Sequence, residues 1–240
     1  MKAFKLRQFA LYHHRSAQRI GTDSLLLGAW AKQAPARRIL DVGSGCGLLA
    51  FMLAQRYPQA RVAGVEIDFA SHQEALANRA ANPAFGRLQF YHQAFQDFPA
   101  SGQKWDLLVS NPPYFDHAYP RQEARTPERH LARHQTGLKL EALFLHARKR
   151  LAERGSLQLI LPLDQHRRLA AILPGQGWQL HRSRSVLPRE GRPAHRMLSA
   201  WTVAPQALSP VYEKALPIRD EQGEYSETYQ ALTRDFHPWI

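Results

Sequence analysis

Two short polar motifs, each placed directly after an apolar run, limit most strongly what this chain can fold into. The run at 38–40 leads into a loop at 41–47 that begins with an acid and then has glycine at every second position. The run at 105–109 leads into the tetrapeptide 111–114, which contains two prolines and ends in an aromatic residue. Both runs predict buried strands, and ligands bind at the carboxyl ends of strands in a parallel sheet. We therefore expect the two motifs to face each other across one crevice.

The rest of the sequence alternates between strand and helix patterns, which is typical of an α/β fold. A chain of 240 residues can form one domain with small additions. We expect 1–36 to be an N-terminal extension with one helix, packed on a domain at 37–240. Residues 1–20 could form either an arm over the crevice or an edge hairpin. Further strands are predicted at 61–66, 88–92 and 156–161, with an antiparallel pair at 178–187 and 197–203. Helices are predicted at 48–54, 70–80, 138–151, 164–173 and 225–236.

An excess of basic side chains distinguishes the composition. The chain has 32 Lys and Arg against 20 Asp and Glu, which gives a formal net charge of +12. A polyanionic partner such as nucleic acid would use this charge for steering and for phosphate contacts, although a surface adapted for solubility is the alternative. Seven arginines in two basic segments are predicted to contact a nucleic-acid backbone, unless they only form a solvated face: Arg121, Arg125, Arg129, Arg133, Arg189, Arg192 and Arg196.

The sequence predicts a cytoplasmic protein without a membrane segment. Its first residues lack the apolar core of a signal peptide, and its longest apolar stretch, at 25–31, is too short to cross a bilayer. Cys46 is the single cysteine, so no disulfide can form within the chain, and we expect it to fill a turn because no base partner is evident. No pattern of His and acidic residues indicates a metal site. We favour a monomer.

The glycine loop resembles the S-adenosylmethionine loop of class I methyltransferases. A dinucleotide loop has the pattern G-x-G-x-x-G, whereas this loop is shorter and follows Asp41, which would attract an aminoacyl group and repel a pyrophosphate. Glu66 closes the next strand and is predicted to accept hydrogen bonds from both ribose hydroxyls. In this class an Asp in the following loop often holds the adenine, but Ala94 occupies that position and Asp97 is the nearest acid.

Thr22 lies where the first helix is predicted to begin. Thr22 or Asp23 can cap this helix, because both side chains can accept a hydrogen bond from a free backbone N–H group of the first turn. Helix capping alone would explain a threonine at this position. If the cofactor lies beside the start of the helix, Thr22 is also a candidate cofactor-binding residue.

The tetrapeptide at 111–114 is the most specific motif. An exocyclic or amide NH2 group is a poor nucleophile because its lone pair is delocalised. The side-chain oxygen of Asn111 and the carbonyl of Pro112 can accept its hydrogens, which draws the nitrogen toward tetrahedral geometry and frees the lone pair. Pro112 and Pro113 stiffen the loop and remove competing N–H donors, and Tyr114 offers a flat face for stacking a planar group. An isolated tetrapeptide of this kind could be a plain turn, but its position after the glycine loop favours a catalytic role.

With these motifs the chain resembles, from end to end, the bacterial tRNA (adenine-N6)-methyltransferases that modify adenosine 37 of a valine tRNA. The resemblance extends to residues 5–9, 20–23, 26–30, 193–196 and 225–229. It implies a Rossmann-like class I methyltransferase fold: a seven-stranded, mostly parallel sheet in the order 3-2-1-4-5-7-6, with helices on both faces and a short N-terminal extension. It also implies which residues bind S-adenosylmethionine, namely Asp41, Gly43, Gly45, Gly47 and Glu66, and that Asn111, Pro112, Pro113 and Tyr114 present the target amine.

The activity implied by this resemblance is methyl transfer from S-adenosylmethionine to N6 of an adenine in tRNA, without a metal. Two alternatives remain open. Protein-glutamine methyltransferases use the same tetrapeptide on an amide, but they carry a helical domain ahead of the core, and fewer than forty residues precede the glycine loop here. A non-catalytic RNA-binding module is the other alternative, because Ala94 departs from the pattern of the family.

Overall fold

The computed structural model describes residues 2–102, 104–113, 140–203 and 209–237. In these ranges the chain forms ten strands, six α-helices and three short 3-10 helices. The strands are β1 Phe4–Lys5, β2 Ala10–Leu11, β3 Arg38–Val42, β4 Arg61–Glu66, β5 Gln89–His92, β6 Trp105–Ser110, β7 Leu151–Pro162, β8 Gln179–Arg189, β9 Arg196–Thr202 and β10 Val211–Arg219. The helices are α1 Thr22–Trp30, α2 Leu48–Arg56, α3 Phe69–Ala81, α4 Leu140–Arg148, α5 Leu163–Ile172 and α6 Glu227–Thr233.

Eight of the strands form one mostly parallel sheet in the order β10-β8-β9-β7-β6-β3-β4-β5. When β3 is counted as the first strand, seven of them follow the predicted order 3-2-1-4-5-7-6, with β9 antiparallel to both of its neighbours. The predicted fold class is confirmed. The number of strands was one too low, because β10 adds an eighth strand parallel to β8. This strand was not predicted from sequence, since its charged residues and Pro217 suit only a sheet edge.

Helices cover both faces of the sheet and bury separate apolar clusters. One cluster joins α1 and α2 to the sheet and includes Leu26, Phe51 and Ile39. The other joins α4 to the opposite face and includes Phe144 and Leu40. Because successive side chains of a strand point to opposite faces, neighbouring residues of β3 belong to different clusters. The central strands therefore have no exposed face, which explains their continuous apolar runs.

The N-terminal residues form a hairpin that continues along α3. β1 and β2 pair antiparallel, which confirms the hairpin alternative. Residues 10–17 then donate backbone hydrogen bonds to four polar side chains, three on one face of α3 and one at its C-cap. These side chains recur at the three- and four-residue spacing of a helix face: Ser71, Glu74, Asn78 and Asn82. The predicted domain boundary between residues 36 and 37 stays a prediction.

Two predictions, on the cap of α1 and on the start of β7, differ from the structure in an informative way. Gly21 is the N-cap of α1 and no side chain caps the helix, so the predicted capping by Thr22 or Asp23 was wrong. β7 begins at Leu151, inside the helix predicted at 138–151. Its pairing with β6 is irregular near Trp105, and a Cβ on Gly155 would lie only 2.7 Å from the carbonyl oxygen of Trp105. Such close backbone approaches are not visible in a hydrophobic pattern.

Candidate functional site

The glycine loop joins β3 to α2 and has backbone angles that favour glycine. Gly43, Gly45 and Gly47 have φ values of 73°, 54° and 95°. A Cβ on Gly47 would lie 2.8 Å from the ring of Phe90, whereas a Cβ on Gly43 or Gly45 would meet no atom within 4 Å. Packing against Phe90 therefore requires glycine at position 47. Gly43 and Gly45 leave an open face above the loop, where a ligand can approach the backbone closely.

Glu66 ties this loop to the end of β4. Its Oε2 accepts a hydrogen bond from the backbone N–H of Gly45, and its Oε1 accepts one from Asp68, both over 2.8 Å. The side chain is buried, and burial raises the pKa of Glu66 although these two hydrogen bonds oppose the rise. Each carboxylate oxygen has a second lone pair, so Glu66 can hold the loop and still accept a hydroxyl. Its predicted contact with a ribose stays a prediction.

Asp41 lies beneath the loop and is completely buried. Its Oδ2 accepts a hydrogen bond from the backbone N–H of Ala50 over 3.1 Å, while its Oδ1 has no hydrogen-bond partner among the described residues. Burial raises the pKa of Asp41 to about 8, against the effect of the Ala50 bond, and the charge of Glu66 adds to the rise. The carboxyl group thus supports the start of α2. A cationic ligand group above the loop would favour its ionised form.

Asn111 directly follows β6 and lies beside the glycine loop. β3 and β6 are adjacent parallel strands in which Asp41 is opposite Val109, so the structure brings the two motifs together as predicted. The hydroxyl of Ser110 donates a hydrogen bond to the carbonyl of Val42 over 2.8 Å and joins the two strand ends. Nδ2 of Asn111 donates to the hydroxyl oxygen of Ser24 in α1 over 2.7 Å.

Ser24 and Ser110 were not identified from sequence. Both adjoin motifs without belonging to them, and each partner lies more than sixty residues away along the chain. Pro112 is buried and Pro113 is exposed. Tyr114 lies outside the described residues, so its predicted stacking role stays a prediction.

The two remaining predicted cofactor residues are both exposed. Thr22 is the first residue of α1, and Asp97 ends a short 3-10 turn after β5. Arg150 supports this turn from the side of α4, because its guanidinium donates to the carbonyl groups of Gln96 and Phe98. Neither residue's contact with a cofactor is tested by these positions, and both stay predictions.

The predicted RNA-binding arginines have different surroundings. Arg189 and Arg192 are exposed at the end of β8 and in the turn that follows. Arg196 is half-buried in β9, where its Nε donates to the carboxylate of Asp23 over 3.0 Å, so it also anchors α1. Contact of these residues with RNA stays a prediction. The other four lie outside the described residues: Arg121, Arg125, Arg129 and Arg133.

Cys46 packs inside the glycine loop and its side chain is buried. Burial raises the pKa of its thiol to about 12, so the thiol is protonated at neutral pH, which supports the interpretation as a turn-filling residue. Within the described ranges, no group of three or more His, Cys, Asp or Glu residues could hold a metal ion. No helix in those ranges is both long and apolar enough to cross a membrane.

Comparison with known proteins identifies relatives along almost the whole chain. The family described as "Methyltransferase small domain" matches residues 15–173. Two relatives named tRNA1(Val) (adenine(37)-N6)-methyltransferase, from Pectobacterium carotovorum and Yersinia pestis, are each 37% identical over 236 residues. These alignments cover 98% of this chain and 93% of each relative.

Solved structures share the fold at low sequence identity. A predicted O-methyltransferase from Agrobacterium tumefaciens is 18% identical with a TM-score of 0.69, and the match covers 89% of this chain and 96% of that one. A ribosomal protein L11 methylase from Lactobacillus delbrueckii is also 18% identical, with a TM-score of 0.51 and coverage of 75% and 76%. At this sequence identity, the similarities show a shared fold and nothing more specific.

Proposed function

The chain belongs to the family of the tRNA1(Val) (adenine(37)-N6)-methyltransferases, and on that premise we propose that it transfers a methyl group from S-adenosylmethionine to N6 of adenosine 37 in a valine tRNA. One observation carries the proposal in the structure. The glycine loop and Asn111 lie at the carboxyl ends of the adjacent strands β3 and β6. A methyl donor and an acceptor amine bound to these two motifs would therefore be neighbours in one crevice.

The described residues fit the cofactor. The open face above Gly43 and Gly45 admits a ligand close to the backbone, and Glu66 is placed to accept ribose hydroxyls at the end of β4. S-adenosylmethionine, when bound, supplies a methyl group activated by its positively charged sulfur. This open face supports an enzyme over a non-catalytic RNA-binding module.

Asn111 and Pro112 provide the acceptors for the target amine. The Asn111 oxygen and the Pro112 carbonyl would accept the two hydrogens of the adenine N6 group, which frees its lone pair for attack on the methyl group. Positioning contributes most of the rate in such a transfer, because the reacting atoms are held in line. The proton leaves after the new bond has formed and can go to solvent, so no residue is assigned as a general base.

The charge of the chain supports a tRNA substrate. A formal net charge of +12 favours a polyanion, and the exposed Arg189 and Arg192 are proposed to contact its backbone. Because tRNA is the proposed substrate, we expect the protein to work in the cytoplasm. We also expect it to work as a monomer.

A methyl-transfer assay tests the proposal. Labelled S-adenosylmethionine and unmodified valine tRNA should yield N6-methyladenosine at position 37, whereas the same tRNA with guanosine at position 37 should remain unlabelled. Nucleoside mapping of tRNA from a strain that lacks the protein should show the loss of the same modification. Label at another nucleoside, or in protein glutamine, would contradict the proposal.

A further inference from the structure

The carboxamide of Asn111 can serve an amine in only one of its two orientations. Its oxygen accepts hydrogen bonds, whereas its NH2 group only donates them. A carboxamide rotated by half a turn would present a donor to the hydrogens of the target amine and lose the interaction. The terminal torsion of Asn is broad and roughly two-fold, so the side chain does not select an orientation by itself. A neighbouring group has to do so.

Ser24 is the neighbour that holds the NH2 end. Nδ2 of Asn111 donates to Oγ of Ser24 over 2.7 Å, and Asn111 is 9% exposed. With the nitrogen held against α1, the oxygen is directed away from α1. This hydrogen bond is partly buried and is therefore stronger than one at the surface, so it can maintain one orientation.

Ser24 is itself held in a fixed position. The preceding residue, Asp23, forms an ion pair with Arg196 of β9 over 3.0 Å. The following residues, Leu25 and Leu26, are buried in the core. The first turn of α1 is therefore attached to the sheet on both sides of Ser24. Its hydroxyl is a preorganised acceptor and not a mobile surface group.

We infer that Ser24 is a positioning residue for the proposed methyl transfer: its hydroxyl, on the first turn of α1, fixes the Asn111 carboxamide at the end of β6 with its oxygen turned toward the target amine. The inference rests on the proposed function. Ser24 acts through Asn111 and is not assigned a contact with substrate. Its loss should therefore lower the rate of the chemical step and leave the binding of tRNA and S-adenosylmethionine unchanged.

Single-turnover assays on three variants test the inference. Ser24→Ala should lower the rate about tenfold, the effect of losing one partly buried hydrogen bond, with both dissociation constants within about twofold of wild type. Ser24→Thr keeps the hydroxyl and should recover the rate to within about threefold. Ser185→Ala, in the half-buried part of β8, is the matched control for a lost hydroxyl and should behave like wild type. If Ser24→Ala does not fold, Ser24→Cys, with its weak acceptor, should show the same loss of rate.

A double-mutant cycle separates positioning from a structural role. In the Asn111→Ala background, Ser24→Ala should cause no further loss, because the group on which it acts is absent. Additive losses would overturn the inference, and so would a wild-type rate for Ser24→Ala. If the wild-type protein methylates no tRNA, the proposed function itself has failed. If wild type is active and Ser24→Ala is equally active, only the role of Ser24 has failed.

Discussion

The glycine loop and the Asn111 segment lie side by side in the crevice, yet they are held in place by different means. The glycine loop is fixed mainly by backbone groups: the N–H groups of Gly43 and Ser44 both donate to the carbonyl of Val65. The Asn111 segment is fixed by hydroxyl groups, from Ser24 on one side and Ser110 on the other. Substitutions in the glycine-loop region should therefore affect cofactor binding, whereas substitutions in the Asn111 segment should affect the rate of methyl transfer.

The largest effect is expected for Asn111→Ala. Acceptance of a hydrogen bond from the amine strengthens as the nitrogen becomes tetrahedral, so the interaction favours the transition state. The variant should lose about two to three orders of magnitude in kcat. Binding of tRNA and S-adenosylmethionine should change by only a few fold, as measured by calorimetry on the same preparation. A near-normal kcat from folded, cofactor-loaded protein would contradict the role of Asn111.

Glu66→Ala should show the opposite behaviour. It removes the predicted ribose acceptor and the bond that holds the Gly45 N–H group. Binding of S-adenosylmethionine should weaken by roughly 1–3 kcal/mol, while the affinity for tRNA remains unchanged. Glu153→Ala removes an exposed acid from β7 and is the matched control. Unaltered cofactor affinity in Glu66→Ala would exclude Glu66 from the cofactor site.

Asp41→Asn tests the glycine-loop region through the pH dependence of the protein's stability. The pKa of Asp41 is about 8 in the folded protein and about 4 in the unfolded chain. Between these values the folded state holds a proton that the unfolded state has released, so this group makes stability fall as pH rises from about 4 to about 8. Asn cannot ionise, so the decrease in the free energy of unfolding between these pH values should be smaller in the variant by at least about 1.4 kcal/mol. Urea unfolding of both proteins at several pH values measures the difference, and identical pH profiles would refute it.

The smallest effect is expected outside both regions. Arg189→Gln with Arg192→Gln should reduce tRNA affinity and flatten its dependence on salt by about one to two units of log–log slope, because roughly one counterion is released for each phosphate contact. Cofactor affinity and the single-turnover rate at saturating tRNA should stay normal. A salt dependence equal to that of the wild type would indicate that these arginines form only a solvated face.

The sequence by itself determined the parts of the protein that depend on local chemistry. Apolar runs predicted the central strands, because strands buried on both faces need apolar side chains throughout. The glycines at 43–47 predicted a cofactor loop, and the proline tetrapeptide predicted a rigid acceptor segment. The strand order came from the resemblance to a family and was confirmed in the sheet.

Only the tertiary structure decided how distant residues meet. β10 gains its place through pairing with β8, which its own sequence does not indicate. Ser24 and Asn111 are 87 residues apart along the chain and become partners only when the start of α1 lies beside the end of β6. Arg196 belongs to a basic segment predicted to contact nucleic acid, and only the structure shows that its guanidinium is also paired with Asp23. In each case the partner is chosen by packing between elements, and a side chain carries no local signal of a contact that forms across the fold.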